Sequence, residues 1–241
     1  MNQMDYGIKQ LSREQIKKLA LFCMVLDHIG VAILDPGLIT GQFGIWEGII
    51  SVISLLFHMM GRMSFPIFTF FLVEGFFHTR DLVCYQKRLL VFACLSEIPY
   101  DLAVSGQWVD LERQNTIMTL ALGLWMMQKI SKRKSQPMLC FVYVLAAMAV
   151  SYLFRLDYFV YGIALIAVFY GFCADKKSAL LWGAVLSFFD SIGYLGAAVL
   201  AYIPLSLYCR DKGKKQGHSW GFYLFYPLHL LVLGMLRCLF I

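Results

Sequence analysis

Apolar runs of bilayer length recur along almost the whole chain, and the short connections between them hold most of its lysines and arginines. Crossing about 30 Å of hydrocarbon takes about 20 helical residues. Such runs fall at 16–34, 63–78, 88–104, 115–130, 137–153, 158–174, 178–190, 191–208 and 221–240. Several are short, as expected of helices enclosed by neighbours rather than bathed in lipid. Composition agrees, because 60% of residues are hydrophobic and only 15% charged, whereas a soluble domain needs roughly a quarter charged. The expected fold is therefore all-α: a polytopic transmembrane bundle of about nine helices, forming one domain over residues 1–241.

Cation placement sets the orientation. With the N-terminus cytoplasmic, the inner segments hold Lys9, Arg13, Lys17, Lys18, Arg80, Lys87, Arg88, Lys129, Lys132, Arg133, Lys134, Lys176, Lys177, Arg210, Lys212, Lys214 and Lys215, which is 17 of the 21 cations. Arg62, Arg113, Arg155 and Arg237 lie toward the other face, as the positive-inside rule requires. The apolar stretch 45–60 does not fit as a crossing, because inserting it would reverse every later loop. It is expected as an interfacial or re-entrant helix on the outer side. The net charge of +6 thus reports topology, and no nucleic-acid partner is expected. The seven cysteines show neither metal-ligand nor disulfide spacing, and the first apolar run, ending at a Pro36-Gly37 turn, lacks a signal-peptide cleavage site.

An ionisable side chain inside a spanning segment costs several kcal/mol unless paired or hydrated, so each is a functional candidate. Asp27 and His28 stand about 15 Å beyond Lys18 along the first helix, near mid-bilayer. Adjacent helical residues point about 100° apart, so each is expected to meet a partner on another helix. His229 lies at similar depth in the last helix, after the Tyr226-Pro227 step. Arg62 opens the second helix as a candidate counter-ion for Asp27 or an electrostatic clamp. Glu97 precedes the helix-kinking Pro99. Asn115 and Thr119, four apart on one face, are candidate oxyanion donors. Glu74 sits near the inner end of the second helix, while Asp157 and Asp190 look like helix-end acids. Each of these groups also has a purely structural reading as an interhelical hydrogen bond.

Five segments carry a resemblance: LALFCMVLDHIG at 19–30, GRMSFPIFTFFLVEGFFHT at 61–79, SEIPYDLA at 96–103, NTIMTL at 115–120 and FYLFYPLHLL at 222–231. Together they resemble the TraX family, named for an inner-membrane conjugation protein that N-acetylates pilin. The resemblance implies acyl transfer from acyl-CoA, here acetyl-CoA, in the bacterial cytoplasmic membrane. By motif position it also implies functional roles for Asp27, His28, Arg62, Asn115 and His229, and for Glu74, His78, Thr79 and Arg88.

Acyl transfer from a thioester needs a base, donors for the developing oxyanion and exclusion of water. A neutral His28 is the expected base, with His229 the alternative that sequence does not separate from it, and Asn115, Thr119 and Arg62 are the candidate donors. Arg80, Lys87 and Arg88, with Glu74 and His78, are the expected coenzyme-binding group, since guanidinium suits bidentate phosphate contact. The expected acceptor is an amine or hydroxyl on a pilin-like N-terminus, a glycan or a lipid. A proton-coupled transporter and a noncatalytic assembly factor are the alternatives, although the unequal helices show no repeated halves of the kind common in carriers.

Overall fold

The computed structural model describes residues 10–210 and 220–240, so Lys9, Lys212, Lys214 and Lys215 of the expected inner set lie outside the described residues. Eleven α-helices make up the described chain: α1 (Arg13–Ile29), α2 (Asp35–Ile39), α3 (Glu47–Gly61), α4 (Ser64–His78), α5 (Leu82–Val104), α6 (Thr116–Ser131), α7 (Pro137–Leu153), α8 (Phe159–Gly171), α9 (Lys176–Asp190), α10 (Tyr202–Ser206) and α11 (Trp220–Phe240). No strand occurs among the described residues, only isolated bridges between Leu11 and Tyr208 and between Gln114 and Leu156. Three helical stretches among them are long and apolar enough to span a bilayer: Arg13–Ile39, Gly44–His78 and Gly221–Leu239.

The first stretch is longer than its sequence suggests. A π-helical segment, Gly30–Leu34, joins α1 to α2, and the helix runs on through Pro36 to Ile39. Proline is tolerated there because it occupies the first turn of α2, immediately after the wide turn has interrupted the regular ladder. The run 191–208 also differs from a simple span. It folds as two 3₁₀ turns, Ile192–Tyr194 and Ala197–Ala201, followed by α10. Leu195 and Gly196 take left-handed backbone angles, φ 54° and 73°, and break any continuous helix.

Segment 45–60 forms α3, which runs antiparallel to α1. Ser54 lies beside Asp35 and Gly61 beside Asp27. After a short break α4 continues in the same sense, bringing Glu74 to Arg13. The chain therefore comes back along α1 once, in two successive helices. Close approach requires the glycines: a Cβ on Gly61 would lie 2.3 Å from Cβ of Asp27, and one on Gly30 3.0 Å from the His58 ring. Similarly, Gly234 of α11 rests on the Leu102–Ala103 backbone of α5, the small-residue contact that lets membrane helices pack closely.

Helix direction sorts charge between the two ends of the bundle. Arg13, Glu74, Lys176, Tyr208 and Arg210 meet at one end, where Leu11 pairs with Tyr208 and Lys176 donates to the Ser206 and Tyr208 carbonyls at 3.2 and 2.8 Å. At the other end Arg237 holds the Ala103 and Val104 carbonyls at 3.0 and 2.6 Å, and Gln114 N–H donates to the Arg155 carbonyl. The outward faces are apolar. On α7 only Ala147 and Ser151 are buried, while Phe141, Val142, Leu145 and Val150 are exposed. Such a surface suits lipid and would associate in water.

Candidate functional site

On the side of the bundle away from Arg13, α1 gives way to the π segment after Ile29, the α3–α4 pair breaks at Arg62–Met63, and α5 and α11 carry Pro99 and Pro227. The polar residues around these positions fall into three clusters.

The first joins α1 to α11. His28 Nδ1 and His229 Nε2 are 2.7 Å apart, and His229 Nδ1 is 2.8 Å from the Phe225 carbonyl one turn earlier. Only an N–H can bond a carbonyl, so His229 carries its hydrogen on Nδ1. In the neutral ring Nε2 is then an acceptor, and His28 must donate to it from Nδ1. The hydrogen-bond chain thus leaves the lone pair of His28 on Nε2. Phe225 stacks on His229 at 5.1 Å, and Tyr226 turns its ring toward both imidazoles at 6.0 and 5.6 Å, fixing their planes. Both histidines are half-buried.

The second cluster joins α1 and α2 to α3. His58 places Nδ1 2.8 Å from Asp27 Oδ1 and Nε2 3.0 Å from Asp35 Oδ2, while Ser54 donates to Asp35 Oδ1 at 2.5 Å. Two α-helical turns take about 7 residues, and the wider π turn adds about one more. That addition puts Asp27 and Asp35, eight apart, on one face. Arg62 Nη2 lies 4.0 Å from Asp27 Oδ1, and its guanidinium is held between Tyr194 and Tyr158, 4.9 and 6.0 Å from their centroids. Asp157 and Asp190 lie within the electrostatic reach of Arg62.

The third joins α5 to α6. Asn115 is fully buried and is the N-cap of α6, its Oδ1 accepting from Ile117 N–H at 3.0 Å. Its Nδ2 donates to the Ala93 carbonyl at 2.8 Å and also to Glu97 Oε2. Thr119 donates to the Asp157 carbonyl at 2.5 Å, and Thr116 to the Asp157 carboxylate. The hydrogens of Asn115 and Thr119 are committed to the protein, whereas Arg62 Nε is buried with no hydrogen-bond partner among the described residues.

Nearer the Arg13 end, Glu74 accepts from the Tyr208 hydroxyl at 2.5 Å and lies 3.5 Å from Arg13 Nε. His78 Nδ1 donates to the Glu74 carbonyl at 2.7 Å, and its Nε2 meets Arg210. Glu74 and His78 thus tie α4 to the chain on either side of α1 and α10. Arg80 and Lys87 are exposed, Thr79 is half-buried, and Arg88 is half-buried beside Tyr85.

The structure therefore brings His28 to His229 and Asp27 to Arg62. It does not join Asp27 to His28, and it sets Asn115 against Glu97. His58 and Asp35 are the residues that sequence reasoning missed. The available signal was His58 itself, an ionisable residue inside the apolar run 45–60.

A family profile described as "TraX protein" matches residues 12–237. The chain is similar to a "Probable fimbrial assembly protein FimC, serogroup H1" of Dichelobacter nodosus, at 27% identity over 242 residues covering 91% of this chain and 93% of that protein. No solved structure matches.

Proposed function

This chain belongs to the TraX family, and from that premise we propose that it is an integral membrane acyltransferase. It moves an acyl group, acetyl in the first instance, from its coenzyme A thioester to an amine or hydroxyl acceptor, with His28 as general base. The observation that supports this most is the fixed tautomer of the histidine pair: both nitrogens of His229 are occupied, whereas Nε2 of His28 keeps its lone pair.

In the proposed reaction His28 Nε2 takes the acceptor's proton as the acceptor nitrogen or oxygen bonds to the thioester carbonyl carbon. The carbonyl oxygen becomes an oxyanion, and Arg62 is the one of the three expected donors that retains an unpartnered N–H. As the intermediate collapses, the carbon–sulfur bond breaks and the departing thiolate receives the proton from His28. His229 steadies the transient imidazolium through the Nδ1–H bond. Asp27 acts at one remove, since its carboxylate is held by His58 and Arg62.

The clustering of cations at the Arg13 end supports a cytoplasmic location for that end in a bacterial inner membrane, with α3 and α4 counting as one crossing and 191–208 as a broken one. The donor approaches from that side, where Arg80, Lys87 and Arg88 lie. The relative's name as a fimbrial assembly protein favours a fimbrial polypeptide as acceptor over a glycan or lipid. The test is to incubate purified protein with radiolabelled acetyl-CoA and fimbrial subunit, then locate label by mass. Label on the subunit supports transfer. Tight, label-free association with the subunit supports a second reading suggested by the same name, a noncatalytic assembly factor whose histidine pair only joins α1 to α11.

A further inference from the structure

Among the described residues His58 alone has both ring nitrogens set against carboxylates, Nδ1 2.8 Å from Asp27 Oδ1 and Nε2 3.0 Å from Asp35 Oδ2. Each contact holds one hydrogen, so the ring can take a proton at one nitrogen and give one up at the other. Ser54 extends the chain by donating to Asp35 Oδ1 at 2.5 Å. The chain also runs from inside to outside: side-chain exposure is 15% at Asp27 and 11% at His58 but 41% at Asp35. Asp35 stands near the far end of the 27-residue helical run that starts at Arg13, about 30 Å from the cation-rich end at 1.5 Å per residue.

Joining α3 to α1 requires one carboxylate, and a second beside the same buried ring adds a desolvation cost that a structural bridge does not need. The ionisable groups set against His58 are Asp27 from α1, Asp35 from α2 and Tyr194 from the first 3₁₀ turn, its ring 5.9 Å away, while Arg62 lies 4.0 Å from Asp27. With His58 carrying both hydrogens, the two carboxylates, the imidazolium and the guanidinium cancel. Gly61 against Asp27 and Gly30 against the His58 ring leave room for the chain between the helices.

An amine acceptor brings a proton that the reaction proposed above does not use. At neutral pH it arrives as ammonium, and its acetylation by a thioester yields amide, thiol and one free proton, whereas a hydroxyl acceptor yields ester and thiol with none. His28 moves the proton that passes from nucleophile to thiolate, so the surplus one needs a separate way out. Resting on that acyl-transfer reading, we propose that Asp27, His58 and Asp35 form a relay that carries the surplus proton of an ammonium acceptor to the outer face. The proton reaches Asp27 through water beside Arg62 and passes to Nδ1 of His58 as the Nε2 hydrogen moves to Asp35. The half-exposed Asp35 carboxyl releases it to solvent, and return of the ring to its starting tautomer resets the relay.

The test follows transfer of label from radiolabelled acetyl-CoA to the amino terminus of fimbrial subunit, using the full-length protein in nanodiscs at pH values from about 6.5 to about 9. His58→Gln keeps hydrogen-bonding groups between the carboxylates but cannot carry a proton. Asp35→Asn, which leaves His58 and Asp27 in place, serves if His58→Gln fails to fold. The unaltered protein is expected to be about 30-fold faster than either variant at the lowest pH. That advantage should vanish at the highest, because an α-amine with a pKa of about 8 then arrives neutral, with no surplus proton. A ratio that is the same at every pH, equal rates included, makes His58 a structural bridge and overturns the relay. No label on the subunit with the unaltered protein overturns the acyl-transfer reading and the relay with it, so the two failures are told apart.

Discussion

His28 Nδ1 donates to His229 Nε2 across 2.7 Å because the His229 Nδ1–H is already given to the Phe225 carbonyl at 2.8 Å. One backbone carbonyl on α11 thus decides which nitrogen on α1 is basic. Sequence alone points to His28 without excluding His229, and this asymmetry distinguishes them. His229→Phe, which removes the acceptor but keeps a ring in place, is expected to lower kcat by about 10- to 100-fold with little change in KM. His28→Ala should lose the full contribution of a general base, about 10²- to 10⁴-fold. Steady-state kinetics on both variants checks the order, and equal losses would remove the distinction between base and partner.

Gly61→Ala places a methyl group 2.3 Å from Asp27 Cβ and 2.4 Å from its Cγ. Overpacking there is expected to destabilise the protein by about 1–3 kcal/mol and to part His58 from Asp27. Gly48→Ala, also on α3 but with nothing within 4 Å of the added atom, should be neutral or slightly stabilising, since alanine favours helix by about 1 kcal/mol over glycine. Thermal unfolding of both variants in detergent makes the comparison.

Asp27 and His58 form the closer contact of the bridge between α1 and α3. A double-mutant cycle with Asp27→Asn and His58→Leu is expected to return a coupling of about 0.5–3 kcal/mol. Additive losses would mean that the two side chains stabilise the helices independently.

Asn115 spends its side chain on the α6 cap, the Ala93 carbonyl and Glu97. Asn115→Ala should therefore lower stability by about 1–3 kcal/mol, with any lost activity following the folded fraction. A variant that is fully folded and inactive would instead restore the oxyanion role expected from sequence.

Asp175 caps α9 outside the apolar core, and its hydrogen bonds to Ser178 and Lys177 hold the carboxyl below its ordinary value of 3.8. A lowered folded-state pKa means that the cap contributes fully above that value and is lost as pH falls through the folded one. Asp175→Ala should remove that part of the acid sensitivity, seen as a smaller change in melting temperature between pH 5 and pH 3.

Helix positions were legible because apolar runs and their flanking cations obey membrane constraints that act locally: 88–104 lies within α5, 115–130 nearly coincides with α6, and 137–153 matches α7. The expectation that Asp27 and His28 would find partners on other helices followed from their 100° separation, and each does. What local pattern does not carry is register between helices. The bridge to His58 depends on an extra residue in the π turn and on a glycine three positions after the histidine, neither visible as hydrophobic periodicity. The run 191–208 reads as one span because its composition is uniformly apolar, while its course is set by left-handed turns at Leu195 and Gly196. Asn115 drew notice for its hydrogen-bonding groups, and a helix cap uses the same groups.

If His28 accepts the acceptor's proton during acyl transfer, its loss must show in single-turnover transfer of label from radiolabelled acetyl-CoA to fimbrial subunit, with the unaltered protein compared with a folded His28→Ala variant in nanodiscs of one composition. Labelled subunit is expected with the former and a rate at least about 100-fold lower with the latter, at unchanged coenzyme A binding. Transfer by His28→Ala at the rate of the unaltered protein would remove His28 as the base.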